Sequence, residues 1–133
     1  MALPPTLEET TMLDHVSLSV TDPVRSQAFY AKALAPLGYR VISQFDGGFG
    51  IGAEGGSTIW AAAGPAQTPI AHLAFRAQDH KQVDAFYRAA LGAGGRDNGE
   101  PGPRENYSPT YYAAFVLDPD GNNVEAVCHA PVR

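Results

Sequence analysis

The chain has 133 residues, of which 44% are hydrophobic and 17% charged, and its formal net charge is −5. That size suits one compact unit with a real core, and the composition excludes a disordered chain. Lys and Arg are scattered (Lys32, Arg40, Arg76, Lys81, Arg88) and form no basic stripe, which argues against a nucleic-acid surface.

Cys128 is the single cysteine, so an internal disulfide and a thiolate zinc cluster are both excluded. It reads as a small buried hydrophobe. No apolar run approaches the roughly 20 residues that span a bilayer. The opening MALPPTLEETT lacks the basic start and apolar stretch of a signal peptide. A cytoplasmic protein is expected, with residues 1–11 as a flexible arm, Met12 as a candidate natural start, and 12–133 as one domain.

In chain order, the first segment alternates. Val16, Leu18 and Val20 point one way and His15, Ser17 and Ser19 the other, the pattern of a half-buried strand. Asp22-Pro23 then reads as an N-cap and first helical residue. Val24, Ala28, Phe29 and Leu34 are the expected apolar face of the helix, and Gly38 its stop. Three strands are expected next, near 39–45, 49–53 and 58–62, separated by Gly-Gly pairs suited to tight turns.

The pattern then repeats. A shift of 57 positions lays LDHVSLSVTDPVRSQAFYAKALAPLG on IAHLAFRAQDHKQVDAFYRAALGAGG without a gap. His15 falls on His72, Asp22 on Asp79, and Ala28-Phe29-Tyr30 on Ala85-Phe86-Tyr87. In the second half Leu73, Phe75 and Ala77 oppose His72, Ala74 and Arg76, and Asp79 caps the next helix. Phe29, Tyr30, Phe86 and Tyr87 sit at helical core spacing. A Gly/Pro/Asn-rich stretch between Gly94 and Pro109 is expected to hold a short strand and a long loop. Strands near 111–117 and 123–128 flank the turn Asp118-Pro119-Asp120-Gly121. Matching Gly55-Gly56 to Asp120-Gly121 aligns Trp60 with Glu125 at a 65-residue shift, so eight extra residues fall in the preceding loop. The expected architecture is α+β. Two tandem βαβββ modules, about 12–64 and 69–130, form a curved mixed sheet around a central cavity, with the helices on its outer face.

His15 and His72 lie off the apolar rows of their strands. Glu125 lies off the row formed by Val124, Ala126 and Cys128. Two imidazoles and one carboxylate on the uncovered side of related strands suit Fe(II), Mn(II), Zn(II) or a similar divalent ion with open positions. The competing reading makes them polar residues hydrogen-bonded to their neighbours. Further cavity candidates are Ser17, Trp60 and, around the loop before Tyr111, Arg104, Tyr107, Tyr111 and Tyr112, with Glu105 beside them. Arg104 can hold an anionic group there. The alternative is a solvated loop with tyrosines packed on the sheet. His80 and His129 read as surface residues.

LDHVSLSVTDPVRSQAFY, IAHLAF and FVLDPDGNNVEAV together resemble the vicinal oxygen chelate superfamily, which includes glyoxalase I, extradiol dioxygenases, fosfomycin-resistance enzymes and bleomycin-resistance proteins. The resemblance spans residues 13–128. It implies one divalent metal ion (Zn, Mn, Fe or Ni) held by His15, His72 and Glu125, a small oxygen-rich substrate bound by bidentate chelation, and a homodimer, with no nucleic-acid or membrane partner. The place of glyoxalase I's further acidic ligand is taken by Trp60. An indole offers no lone pair to a metal and no base, which argues against true glyoxalase I activity. Such a metal enzyme can be a lyase, isomerase, transferase or dioxygenase, because the scaffold does not choose among them. The alternative is a metal-free protein that sequesters a small ligand, as bleomycin-resistance proteins do.

Overall fold

The computed structural model describes residues 12–54 and 57–129. The expected N-terminal arm, the Gly55-Gly56 turn and residues 130–133 lie outside the described residues. Each module contains one strand, a helix and three more strands. The first holds β1 (His15–Val20), α1 (Pro23–Ala33), β2 (Arg40–Phe45), β3 (Gly48–Gly52) and β4 (Thr58–Ala63). The second holds β5 (His72–Arg76), α2 (His80–Gly92), β6 (Arg96–Pro103), β7 (Tyr112–Leu117) and β8 (Asn123–Cys128). The modules form two four-stranded mixed sheets, ordered β1-β4-β3-β2 and β5-β8-β7-β6. One face of each sheet is covered by its helix.

Local chemistry accounts for these elements. Asp22 accepts the Arg25 N–H at 3.2 Å and Asp79 accepts the Gln82 N–H at 2.8 Å, so both expected N-caps are in place. A 3-10 turn, Ala35–Leu37, follows α1, and Gly38 closes it at φ +89, a conformation that suits glycine. The apolar face of α1 keeps the expected Phe29 and Leu34, both buried, and departs from expectation at its other two positions. Val24 is 81% exposed and Ala28 is also exposed, whereas Ser26, Phe29, Tyr30 and Ala33 are buried. The helix is rotated so that Phe29 and Tyr30 reach the second module, which helical periodicity within one segment does not specify.

The stretch 94–109 also differs. It holds an eight-residue strand, β6, whose register against β7 slips between Asp97 and Gly99 and again between Gly99 and Gly102. These bulges absorb part of the expected insertion. Pro101 and Pro103 are tolerated because β6 is an edge strand, paired on one side only.

One core joins the modules, with Leu18, Phe29, Leu34 and Ile51 from the first and Phe75, Phe86, Val116 and Val124 from the second. The turn after β7 is bound into it. Asp118 accepts the N–H groups of Asp120 and Asn122, each at 2.9 Å, and the Tyr30 hydroxyl at 2.5 Å. Asp118 and Asn122 are both buried, and Asn122 accepts the Ala71 N–H. Thr21 donates its backbone N–H and its hydroxyl to Asp120. The two halves are therefore tied by polar contacts as well as by apolar packing. Among the described residues no helix is long and apolar enough to cross a membrane.

Candidate functional site

Strand register carries the repeat into three dimensions. On β1 and β4, Ser17 stands opposite Trp60; on β5 and β8, Ala74 stands opposite Glu125. Ser17 and Ala74 are related by the 57-residue shift, so Trp60 and Glu125 occupy equivalent places. Alternation sends His15, Ser17 and Trp60 to the uncovered face of the first sheet. It sends His72, Glu125 and Phe115 to the uncovered face of the second.

The second module assembles a polar cluster. His72 Nε2 lies 2.7 Å from Glu125 Oε1, and the Tyr111 hydroxyl donates to Glu125 Oε2. The Glu125 side chain is 2% exposed and that of His72 54%. Among the described residues, His72 is the only basic side chain within ion-pair distance of this buried carboxylate. A buried carboxylate needs such a partner, because its desolvation is costly. Burial, followed by the hydrogen bond to Glu125, pushes the Tyr111 hydroxyl up to about 12. The phenol therefore stays a donor throughout the neutral range, holding Glu125 in place.

Aromatic rings frame this pair. Phe115 stands opposite Glu125 on β7, and its ring centroid is 6.3 Å from that of His72. Tyr107 and His129 meet the Tyr111 ring edge-on at 5.0 and 5.2 Å. Phe115 was not among the residues singled out from sequence. Its signal was its parity with Tyr111 along β7, which becomes informative only once Glu125 is known to be its cross-strand partner.

The remaining candidates are distributed as follows. His15 is exposed, with Nδ1 2.8 Å from Asp14 Oδ1. Among the described residues of one chain, no group of three or more His, Cys, Asp and Glu side chains is gathered to hold a metal. Ser17 is exposed on β1. Trp60 lies across β3: a Cβ on Gly50 would come within 2.5 Å of its indole, so only glycine leaves room. Phe45 lies beside it, with ring centroids 6.3 Å apart. Arg104 is half-buried over the Phe115 ring, and Tyr107 is 61% exposed.

Tyr112 requires a correction. Its hydroxyl donates to Asp84 on α2 at 2.8 Å and its ring stacks on His80 at 3.8 Å. It therefore faces the helix, because adjacent strand residues point to opposite faces and Tyr111 takes the open one. His80, expected at the surface, is half-buried by this stacking.

Comparison with known proteins gives the same architecture. The sequence profile of the Glyoxalase/Bleomycin resistance protein/Dioxygenase superfamily matches residues 12–126. No curated protein matches the sequence at a significant level. Among solved structures, a glyoxalase/bleomycin resistance protein from Albidiferax ferrireducens T118 is 28% identical, with a TM-score of 0.75, covering 89% of this chain and 98% of its own. A glyoxalase candidate from Bacillus halodurans is 26% identical, with a TM-score of 0.69 and coverages of 92% and 99%. A family enzyme from Burkholderia phytofirmans PsJN, 20% identical with a TM-score of 0.71 and coverages of 88% and 98%, shares the fold.

Proposed function

The chain belongs to the Glyoxalase/Bleomycin resistance protein/Dioxygenase superfamily, and from that premise we propose that it is a divalent-metal-dependent enzyme acting on a small oxygen-rich substrate. The observation that carries this reading is the convergence of His72 Nε2 and Glu125 Oε1, 2.7 Å apart on an uncovered sheet face. An imidazole nitrogen and a carboxylate oxygen are a donor set for Zn(II), Mn(II), Fe(II) or Ni(II). The residues fit the ion in a second respect. Glu125 is buried with one oxygen held by Tyr111, as an outer-shell donor orients a ligating carboxylate. His72 and Glu125 would hold the ion. When bound, it polarises two substrate oxygens and stabilises negative charge developing on them.

The third ligand in this reading is His15 from a second copy of the chain. β1 and β5 are terminal strands of their sheets, each paired on one side. Leu13 and Ile70, equivalent under the repeat and each two residues before a candidate histidine, are 61% and 56% exposed. Apolar residues at both open edges favour burial against another copy, and a two-fold pairing of β1 with the partner's β5 would bring the equivalent histidines to one seam.

Elemental analysis and mixed-copy complementation test this proposal. Wild-type protein is expected to bind one metal ion per chain, and His15→Ala and Glu125→Ala each to lose it. Mixed dimers of the two variants are expected to recover one intact site in two. Unchanged metal content in Glu125→Ala would sink the metal reading, and no recovery in the mixture would sink the shared site. The second reading, a metal-free ligand-sequestering protein, is favoured by the half-exposed Trp60–Phe45 pair over glycines. Wild-type protein without metal affinity would select it.

A further inference from the structure

We infer that Arg104 is a receptor for a substrate carboxylate, so that the ligand of this site is a small organic monocarboxylic acid. The inference rests on the preceding reading only in taking the His72–Glu125 face as the ligand site.

Arg104 reaches that face because of its register. Its N–H donates to the Tyr111 carbonyl at 2.7 Å, so the two residues face each other across the neck of the loop. The guanidinium carbon lies 5.4 Å from the centroid of Phe115, whose ring is also neighbour to His72. One phenyl ring thus separates the cation from the His72–Glu125 pair. That spacing fits a ligand with an anionic end, a short apolar middle and a further oxygen.

The guanidinium is fixed before any ligand arrives. Nη1 donates to the Gly102 carbonyl at 2.8 Å and the Pro103 carbonyl at 3.3 Å, and Nη2 donates to the Glu100 carbonyl at 2.7 Å. Glycine makes the fit possible. A Cβ on Gly99 would lie 3.2 Å from Nη2 and 2.9 Å from the Phe115 ring, and one on Gly102 would lie 3.3 Å from Nη1. A guanidinium carries five N–H donors. The three carbonyl bonds leave two donors, Nε–H and one proton of Nη2, on the two nitrogens through which a guanidinium grips a carboxylate side-on. All three acceptors are neutral carbonyls, and among the described residues no carboxylate pairs with Arg104. Its positive charge therefore remains to be matched. Two donors suit a monoanionic carboxylate better than a phosphoryl dianion, whose third oxygen and second charge would go unmatched.

The test is a nitrogen–proton NMR titration of metal-free full-length protein, reading the arginine Nε–Hε resonances, with the Arg104 signal assigned by its loss in Arg104→Lys. The probes are mandelate, its uncharged isostere mandelamide, and phenylphosphonate. Mandelate is expected to move the Arg104 resonance saturably and to bind about tenfold or more tightly than mandelamide, a difference abolished in Arg104→Lys. Because the first comparison uses wild-type protein, it does not depend on how the variant folds. No saturable shift with mandelate, or a shift no larger than those of Arg25, Arg40, Arg76 and Arg88, overturns the inference. Equal binding of mandelamide or preference for phenylphosphonate also overturns it. Arg104 bonds to neither His72 nor Glu125, so failure here leaves metal binding unaffected, and failure of metal binding leaves this titration readable.

Discussion

Trp60 and Glu125 stand at the same point of two related modules, one opposite Ser17 and the other opposite Ala74. Where the second module has a buried carboxylate, the first has an indole lying across a glycine strand. Pseudo-symmetry therefore yields equivalent histidines but only one buried carboxylate at these places. The first module's contribution is an aromatic wall.

Gly50→Ala tests how that wall is held. The new methyl would fall 2.5 Å from the indole, which must swing off β3. A loss of about 1–3 kcal/mol is expected from overpacking. Because Trp60 is the only tryptophan, its fluorescence reports the displacement directly. An unchanged emission spectrum with unchanged stability would show that the indole does not depend on this glycine.

Tyr111→Phe removes the donor to Glu125 Oε2 while keeping the ring. A stability loss of about 1–3 kcal/mol is expected from the unsatisfied buried oxygen. If the metal reading is correct, affinity for Mn(II) or Zn(II) falls by roughly 10- to 100-fold. Denaturant unfolding and metal titration measure the two effects separately.

High pH is expected to destabilise the fold. Burial, with hydrogen bonds to Glu125 and Asp84, pushes the Tyr111 and Tyr112 hydroxyls from 10.0 to about 12. The folded state thus binds protons that the unfolded chain releases first. Their contribution is complete below pH 10 and declines as pH rises from 10 to about 12. Unfolding free energy followed across that window should fall less steeply in Tyr111→Phe and Tyr112→Phe, and tyrosinate absorbance should lose one late-titrating phenol in each variant, with Tyr30, which burial also pushes up, still titrating late in both.

Asp118→Ala should separate stability from ligand chemistry. The substitution leaves the Tyr30 hydroxyl and the Asn122 side chain without their shared buried acceptor. A cost of about 3 kcal/mol or more is expected, visible as a lower urea midpoint. If the metal reading is correct, residual folded protein should retain wild-type metal affinity, because Asp118 lies in the turn between β7 and β8 and bonds to neither His72 nor Glu125.

Much of this organisation is legible in the sequence by itself. The ungapped repeat set two modules, Asp22 and Asp79 set the helix starts, and strand alternation placed His15, His72 and Glu125 off the covered rows. Those signals are local or are copied from one half to the other, so they need no knowledge of packing. The tertiary structure decided the rest. It turned α1 so that Tyr30 meets Asp118, 88 residues away, and sent Tyr112 to α2 while Tyr111 took Glu125. It also made a bulged strand of a Gly/Pro-rich stretch, and left His15 and His72 on two open sheet edges. Each of these depends on which surfaces of distant segments meet. Periodicity along one segment defines a face but cannot name its partner.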